Sequence, residues 1–329
     1  MKKLSAIVKK AKSWEFFFDT SNLTWSLPED KELLALKCIK EIFDSNSANL
    51  KQMQILMGRL NNFCQMCPFM KIFLTPLYFF LTEISVSPCM SCMLNQTVKS
   101  DLDVWVRFLT KKCKWLPICQ MYYDPPLACK TFSSDAAGGT FMPEKGVSLG
   151  CGNVGFDHMG LIIFAYQLFW PPGVLSFAFD KKGSCLGNKS TTLEMLGMLV
   201  PFIVIPEQLA NQHIIVKVDN IACYFGWINR HVSGDVMASI LIRTLHLVCA
   251  YLGCQVHVEH LPRKSTWDAN LVDRLSRSRS TTRQDRLLLA SFRFPEVPVV
   301  LRDWMCDPVE DWELANRILD FVKNKYYMP

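Results

Sequence analysis

The sequence predicts a mixed α/β domain on a central sheet, preceded by a mainly helical region. Three observations predict it. The apolar period is helical from Leu27 to Leu81. It changes near Lys130 to short β-like runs with glycines at their turns. Beyond Gly187, amphipathic helices alternate with apolar strands. Strands first and alternation afterwards imply a sheet covered by helices over about 150 residues. The chain therefore divides into 1–98, a connector 99–129, the α/β domain 130–280 and an extension 281–329.

In chain order, WEFFFDTSNLTWSL carries two aromatic-rich runs around a polar turn and reads as a β-hairpin. LPEDKELLALKCIKEIF starts a helix with Pro28 at a first-turn position and acids behind it, and repeats Leu33, Leu34, Leu36, Ile39 and Ile42. A polar break at Asp44–Ser47 separates it from a second helical run that lasts until Pro68. VKSDLDVWVRFLTKK is a further short helix. From Thr131 to Gly187 come strands, with Gly138, Gly139, Gly150 and Gly152 at turns. TTLEMLGMLVPFIVI opens as a helix capped by Thr191 or Thr192, with Glu194 in its first turn. HIIVKVDN is a buried strand ending in Asp219, SGDVMASILIRTLHLVCAYLG a helix closed by Gly253, CQVHVEHLP a strand and WDANLVDRLSRS a helix. The segment from Phe294 onward reads as a Pro-rich turn region and one terminal helix.

Half of the 329 residues are apolar and a fifth are charged, which excludes disorder over most of the length. The formal charge of +6 permits nucleic acid as a partner without demanding it. Fourteen cysteines fall below the density of a disulfide scaffold. Lysines interrupt every apolar stretch at the N-terminus, so no secretory signal is visible. Pro68, Lys71 and Pro76 cut one greasy window and Glu194, Pro201 and Pro206 another, leaving neither with the ~20 clean apolar residues of a membrane helix. An intracellular protein with reduced thiols and no membrane contact is expected.

Four acids sit where strands end or helices face the sheet: Asp135, Glu194, Asp219 and Asp273, at intervals of 59, 25 and 54 residues. An acid closing an apolar strand is costly to bury unless paired or bound to metal, and KVDN is that situation. Acids converging on one sheet face repel one another, and divalent cations relieve the repulsion. All-oxygen ligation favours Mg²⁺ or Mn²⁺ over zinc. Two such ions about 4 Å apart serve phosphodiester cleavage. The bland alternative is that each acid is simply solvated.

SSDAAGG, a helix with Glu194, VDN, a strand ending in His260 and a helix with Asp273 together resemble the ribonuclease H domain of retroelement polyproteins. HLPRKSTWDANLVDRLSR resembles that family's closing motif. FFFDTSNLTWSLPEDK resembles the stretch just after the polymerase palm, and LMGRLNNFCQMCPFMKIFLTPLYFFL the thumb and connection. The resemblance covers roughly residues 14 to 280, and the long interval between Asp135 and Glu194 is more similar to the tyrosine-recombinase (DIRS-like) group than to the gypsy-like group. It implies a ribonuclease H-like mixed five-stranded sheet with flanking helices, after a thumb- and connection-like remnant. It also implies two Mg²⁺ (or Mn²⁺) ions held by Asp135, Glu194, Asp219 and Asp273. Cleavage of the RNA strand of an RNA–DNA hybrid would follow, with 2′-hydroxyl contacts across the minor groove selecting that strand. Ala136, Ala137, Gly138 and Gly139 would permit close backbone approach. His260 falls near the family's mobile histidine, which assists catalysis or product release; a strand-end histidine is otherwise an ordinary partly buried residue.

The sequence departs from the family in places. Arg263 stands where many relatives have glycine. No Tyr-x-Asp-Asp motif occurs, and fingers and palm have no counterpart, so the chain is not expected to polymerise DNA; a polymerase-containing part of the same element is a candidate partner. Seven basic residues between Arg263 and Arg286, among them Arg263, Lys264, Arg274 and Arg277, suit phosphate contacts or a solvated helix face equally. Cys64-x₂-Cys67 and Cys89-x₂-Cys92 have the spacing of a structural zinc site, or are buried small hydrophobes. The tryptophans Trp25, Trp105, Trp115 and Trp227 read as packing. Two alternatives to a ribonuclease H stay open: a catalytically inactive nucleic-acid-binding remnant, and an integrase- or transposase-type nuclease acting on duplex DNA.

Overall fold

In the computed structural model the described residues are 10–13, 16–19, 21, 24–86, 90–110, 116–117, 129–138, 148–187, 189–261, 266–278, 281–292 and 295–325. The chain forms two units, Met1–Tyr123 and Asp124–Pro329.

The first unit begins with three antiparallel strands, β1 (Lys10–Ser13), β2 (Phe16–Asp19) and β3 (Thr24–Ser26). β2 and β3 are the expected hairpin, and the Trp25 ring packs against Phe16 and Phe18. Helix α1 (Glu29–Ser45) follows Pro28, with Glu29, Asp30 and Glu32 in its first turn, and Asn46 ends it in a left-handed conformation at φ 49°. β4 (Ser47–Ala48) leads to α2 (Leu50–Met66), which opens on a capping box between Asn49 and Gln52. A 3₁₀ turn (Pro68–Phe73) and α3 (Thr75–Val86) come next, then β5 (Cys92–Met93), α4 (Gln96–Thr110) and β6 (Leu116–Pro117). α4 buries Val98, Leu102, Trp105 and Leu109 and packs on α1 and α3.

Pro68, Lys71 and Pro76 do not cut this region. Pro68 opens the 3₁₀ turn and Pro76 lies in the first turn of α3, where no intrahelical N–H is required. The result is a helical stretch, Pro68–Val86, of 19 residues with mean hydropathy 1.4. Its length and composition match both a membrane-crossing helix and the core helix of a soluble protein, and half of it is buried within the protein.

The second unit is mixed α/β. β7 (Lys130–Ala136), β8 (Gly150–Phe156) and β9 (Ile162–Phe169) form an antiparallel meander. A short helix, α5 (Pro172–Ala178), was not expected; the Pro171–Pro172 pair starts it. α6 (Lys189–Val204) and α7 (Pro206–Leu209) precede β10 (His213–Val218). α8 (Ile221–Asn229), α9 (Val236–Tyr251), β11 (Gln255–His260) and α10 (Trp267–Leu275) complete the alternation. Gly253, at φ 65°, follows α9 as expected. α11 (Arg283–Ser291) follows α10, and the segment from Phe294 onward holds two helices where one terminal helix was expected, α12 (Val299–Cys306) and α13 (Leu314–Lys325).

The five-stranded sheet has the order β11-β10-β7-β8-β9. β7, β10 and β11 run parallel, so β10 and β11 reach their places through helical crossovers. α6 and α9 cover one face in an extensive core with Phe132, Cys151, Phe164, Ile214 and Val216, to which α13 adds Leu314, Ile318 and Val322. α10 covers part of the other face, with Leu271, Val272 and Leu275 against Val154 and Ala165.

Three sequence expectations for α6 are corrected. Glu194, five residues after Lys189, lies beyond the first turn. Thr191 and Thr192 are not caps, because the helix already runs from Lys189; the Thr192 hydroxyl instead donates to Asp235, 2.9 Å, whose carboxylate caps α9. Pro201 does not cut α6 but lies inside it.

Candidate metal centre

The site stands at the C-terminal ends of the two central parallel strands. β7 and β10 are register partners from Lys130↔Ile214 to Ser133↔Lys217, so Asp135 and Asp219 leave the sheet side by side. Asn220 explains why Asp219 sits at a corner: its side chain accepts from the backbone N–H of Ala222 and Cys223 and starts α8 at once. α6 brings Glu194 from the opposite layer, where its Oε2 accepts from the backbone N–H of Ala136 at 3.1 Å.

One carboxylate oxygen from each of Asp135, Glu194 and Asp219 lies within 4.8 Å of the others. Asp135 and Glu194 are almost fully buried. Burial above all, helped by the charges of Asp219 and Asp273 and opposed by Ser276 and Arg277, pushes the Asp135 carboxyl up to about 6. Its Oδ2 is buried without a hydrogen-bond partner among the described residues. A buried, unpartnered carboxylate oxygen facing two more carboxylates is the donor set of a hard divalent cation, Mg²⁺ or Mn²⁺. Among the described residues no other group of three His, Cys, Asp or Glu side chains converges in this way.

Asp273 lines the same cavity as Asp135 and Asp219 but stands outside the converged trio. Its side chain is held by Arg277, one helical turn on. α10, which carries it, rests directly on β8 at Gly152, where a Cβ would stand 2.5 Å from Leu275 Cβ and 2.6 Å from the Val272 carbonyl oxygen. The end of α10 is fastened by Gly150 N–H donating to the Ser276 carbonyl at 2.9 Å.

His260 ends β11 opposite Val218 and is exposed. Its Nε2 lies 3.1 Å from the Asp219 carbonyl oxygen, which only accepts, so this nitrogen is the donor. Of the basic candidates, Arg274 forms a two-point pair with Asp285, both bonds 2.8 Å, and Arg277 holds Asp273. Arg263 and Lys264 lie outside the described residues, as do Cys89, Gly139 and Trp115. Cys64 is buried in the first unit, and Trp105 and Trp227 are packed, the latter stacked on His246 at 3.9 Å.

A second polar group beside the trio was not foreseen. Ser133 and Lys217 precede Asp135 and Asp219 by two residues and so point to the same face. The Ser133 hydroxyl donates to Asp268 Oδ2 at 2.5 Å, and Lys217 Nζ reaches the same oxygen at 3.4 Å. Burial raises Asp268, but the bonds from Ser133 and Thr266 and the charge of Lys217 outweigh it and hold the carboxyl below its usual range. A lysine inside an otherwise apolar strand was the available signal.

No protein-family model matches the chain, and no curated protein matches it.

Proposed function

We propose that the protein is a metal-dependent endonuclease of ribonuclease H type, the C-terminal part of a retroelement (DIRS-like or gypsy-like) reverse transcriptase polyprotein. Its substrate is the RNA strand of an RNA–DNA hybrid. The observation that carries this reading is the meeting of Asp135, Glu194 and Asp219 from three elements in one buried cluster. The mixed five-stranded sheet with helices on both faces agrees with it.

Asp135, Glu194 and Asp219 hold the cations, and Asp273, on the same cavity wall, completes the set for a pair of Mg²⁺ or Mn²⁺ ions. When bound, the ions supply positive charge that activates water and stabilises the leaving oxygen in phosphodiester hydrolysis. Water oxygen bonds to phosphorus as the bond to the 3′-oxygen breaks, giving a 3′-hydroxyl and a 5′-phosphate. Glu194, fixed on the Ala136 N–H, keeps its carboxylate aimed at the strand ends. His260, fastened to the Asp219 carbonyl and open to solvent, is placed to exchange a proton and to assist product release.

The alternative, an inactive nucleic-acid-binding remnant, is favoured by one observation: Arg277 already neutralises Asp273. An end-labelled RNA–DNA hybrid with Mg²⁺ separates the readings. The nuclease cleaves it and Asp219→Asn abolishes cleavage while leaving the fold intact; hybrid binding without cleavage overturns the nuclease and favours the remnant. Preferential cutting of duplex DNA overturns the hybrid specificity.

A further inference from the structure

Lys217 is shared by two cavities. One is the carboxylate cavity; the other is a wider, open groove on the same sheet face, bounded by Thr131, Phe156 and Trp267. The Lys217 side chain is 26% exposed, and its ammonium has three N–H donors, of which one meets Asp268 at 3.4 Å; no other partner occurs among the described residues. Trp267 opens α10 with 57% of its surface exposed and is held edge-on by Phe156, ring centres 6.3 Å apart. The acids in the groove are already engaged. Asp157 accepts the N–H groups of Met159 and Leu161 and closes its own turn, and Asp268 takes Ser133 and Lys217. A cation with spare donors and a fixed, wet aromatic face are the two contacts a nucleic-acid strand uses: phosphate and base.

We propose that this groove binds the phosphodiester strand that enters the carboxylate cavity, with Lys217 on a phosphate and Trp267 stacked on a flanking base. The proposal rests on the nuclease reading for its substrate, but binding tests it without catalysis. Fluorescence anisotropy of a labelled RNA–DNA hybrid and of its single RNA strand is measured in EDTA across a salt series. Lys217→Gln lowers the slope of log K against log salt by about one phosphate contact, roughly 0.7–0.9, and Lys217→Arg keeps it. Trp267→Ala weakens binding by about 5- to 100-fold with the slope unchanged, and Trp267→Phe restores most of it. Thermal stability and Mn²⁺ affinity stay at wild-type values in Trp267→Ala, which separates lost stacking from a damaged fold.

Wild-type affinity and slope in both Lys217→Gln and Trp267→Ala would overturn the groove, as would failure of the wild type to bind either nucleic acid. Cleavage by the wild type with an unaltered KM in both variants sinks the groove and leaves the nuclease standing. Lys217- and Trp267-dependent binding with no cleavage under Mg²⁺ does the reverse.

Discussion

The side-chain amide of Asn153 donates to the backbone carbonyl of Gly197 at 3.3 Å. That carbonyl is the one Pro201, four residues on, leaves without its helical donor. A fully buried asparagine on β8 thus completes α6 across the layer and lets a proline sit inside the helix that carries Glu194. Removing the amide orphans a buried carbonyl, so Asn153→Ala costs about 1–3 kcal/mol. In a Pro201→Ala background the helix supplies its own N–H and the same substitution costs less. A double-mutant cycle by chemical denaturation therefore shows a coupling of at least about 1 kcal/mol; strict additivity contradicts the account.

Gly152 sets how closely α10 approaches the sheet. A methyl there meets backbone as well as side chain, at 2.6 Å from the Val272 carbonyl oxygen, and neither can yield cheaply. Gly152→Ala is expected to destabilise the α/β unit by about 1–3 kcal/mol through overpacking and to lift Asp273 from the cavity wall. Denaturant midpoints check the first effect, and Mn²⁺ titration the second as weakened binding of an ion.

Metal-free protein should lose stability as pH rises from about 4 to about 6. Burial raises the Asp135 carboxyl to about 6 in the fold, against an ordinary aspartate value of 3.8. Below 3.8 both states are protonated and nothing is lost; between the two values the unfolded chain ionises first and folding is penalised. The loss totals on the order of 3 kcal/mol and is complete above the folded value. In EDTA at pH 7, Asp135→Asn is therefore more stable than wild type. Saturating Mg²⁺ reverses the order, because only the native wild type binds it fully. An Asn variant no more stable than wild type in EDTA is the contrary result.

Arg274 stabilises α11 more than it serves nucleic acid. Its bond to Asp285 holds that carboxyl down at about 2, and Asp285 is also half of the capping box with Thr282. The stability it adds is present above pH ~4 and fades as pH falls through about 2. Arg274→Ala should cost about 2 kcal/mol, less than a fully buried pair because the Arg274 side chain is about a third exposed. Lys at this position restores little, since it cannot make the two-point bond. Hybrid affinity in anisotropy should change less than twofold; a large loss would place Arg274 at the nucleic acid instead.

Much of the sheet domain was legible. HIIVKVDN announced β10 because a short apolar run ends in one acid, and Asn220 is a ready helix cap. Glu194 was visible in a helical run, and α9 and β11 by their period and Gly253. Pro68 ends the second helical run as expected, but Pro68, Pro76 and Pro201 do not interrupt the apolar helical stretches they were expected to cut. Pro68 and Pro76 occupy helix starts, and Pro201 is rescued by Asn153, a partner 48 positions away that no local window contains. The grouping of Ser133, Lys217 and Asp268 was hidden for a related reason: it depends on the β7–β10 register and on Thr266 capping α10, neither of which is local.

Asp135, Glu194 and Asp219 are expected to share one cation. Crystals soaked in Mn²⁺ and measured at the manganese absorption edge test it directly. The account predicts an anomalous peak within about 2.0–2.3 Å of oxygens from Asp135, Glu194 and Asp219 together, near the distances of hard-cation ligation. No peak between these side chains at saturating Mn²⁺, with their oxygens turned apart, would contradict it.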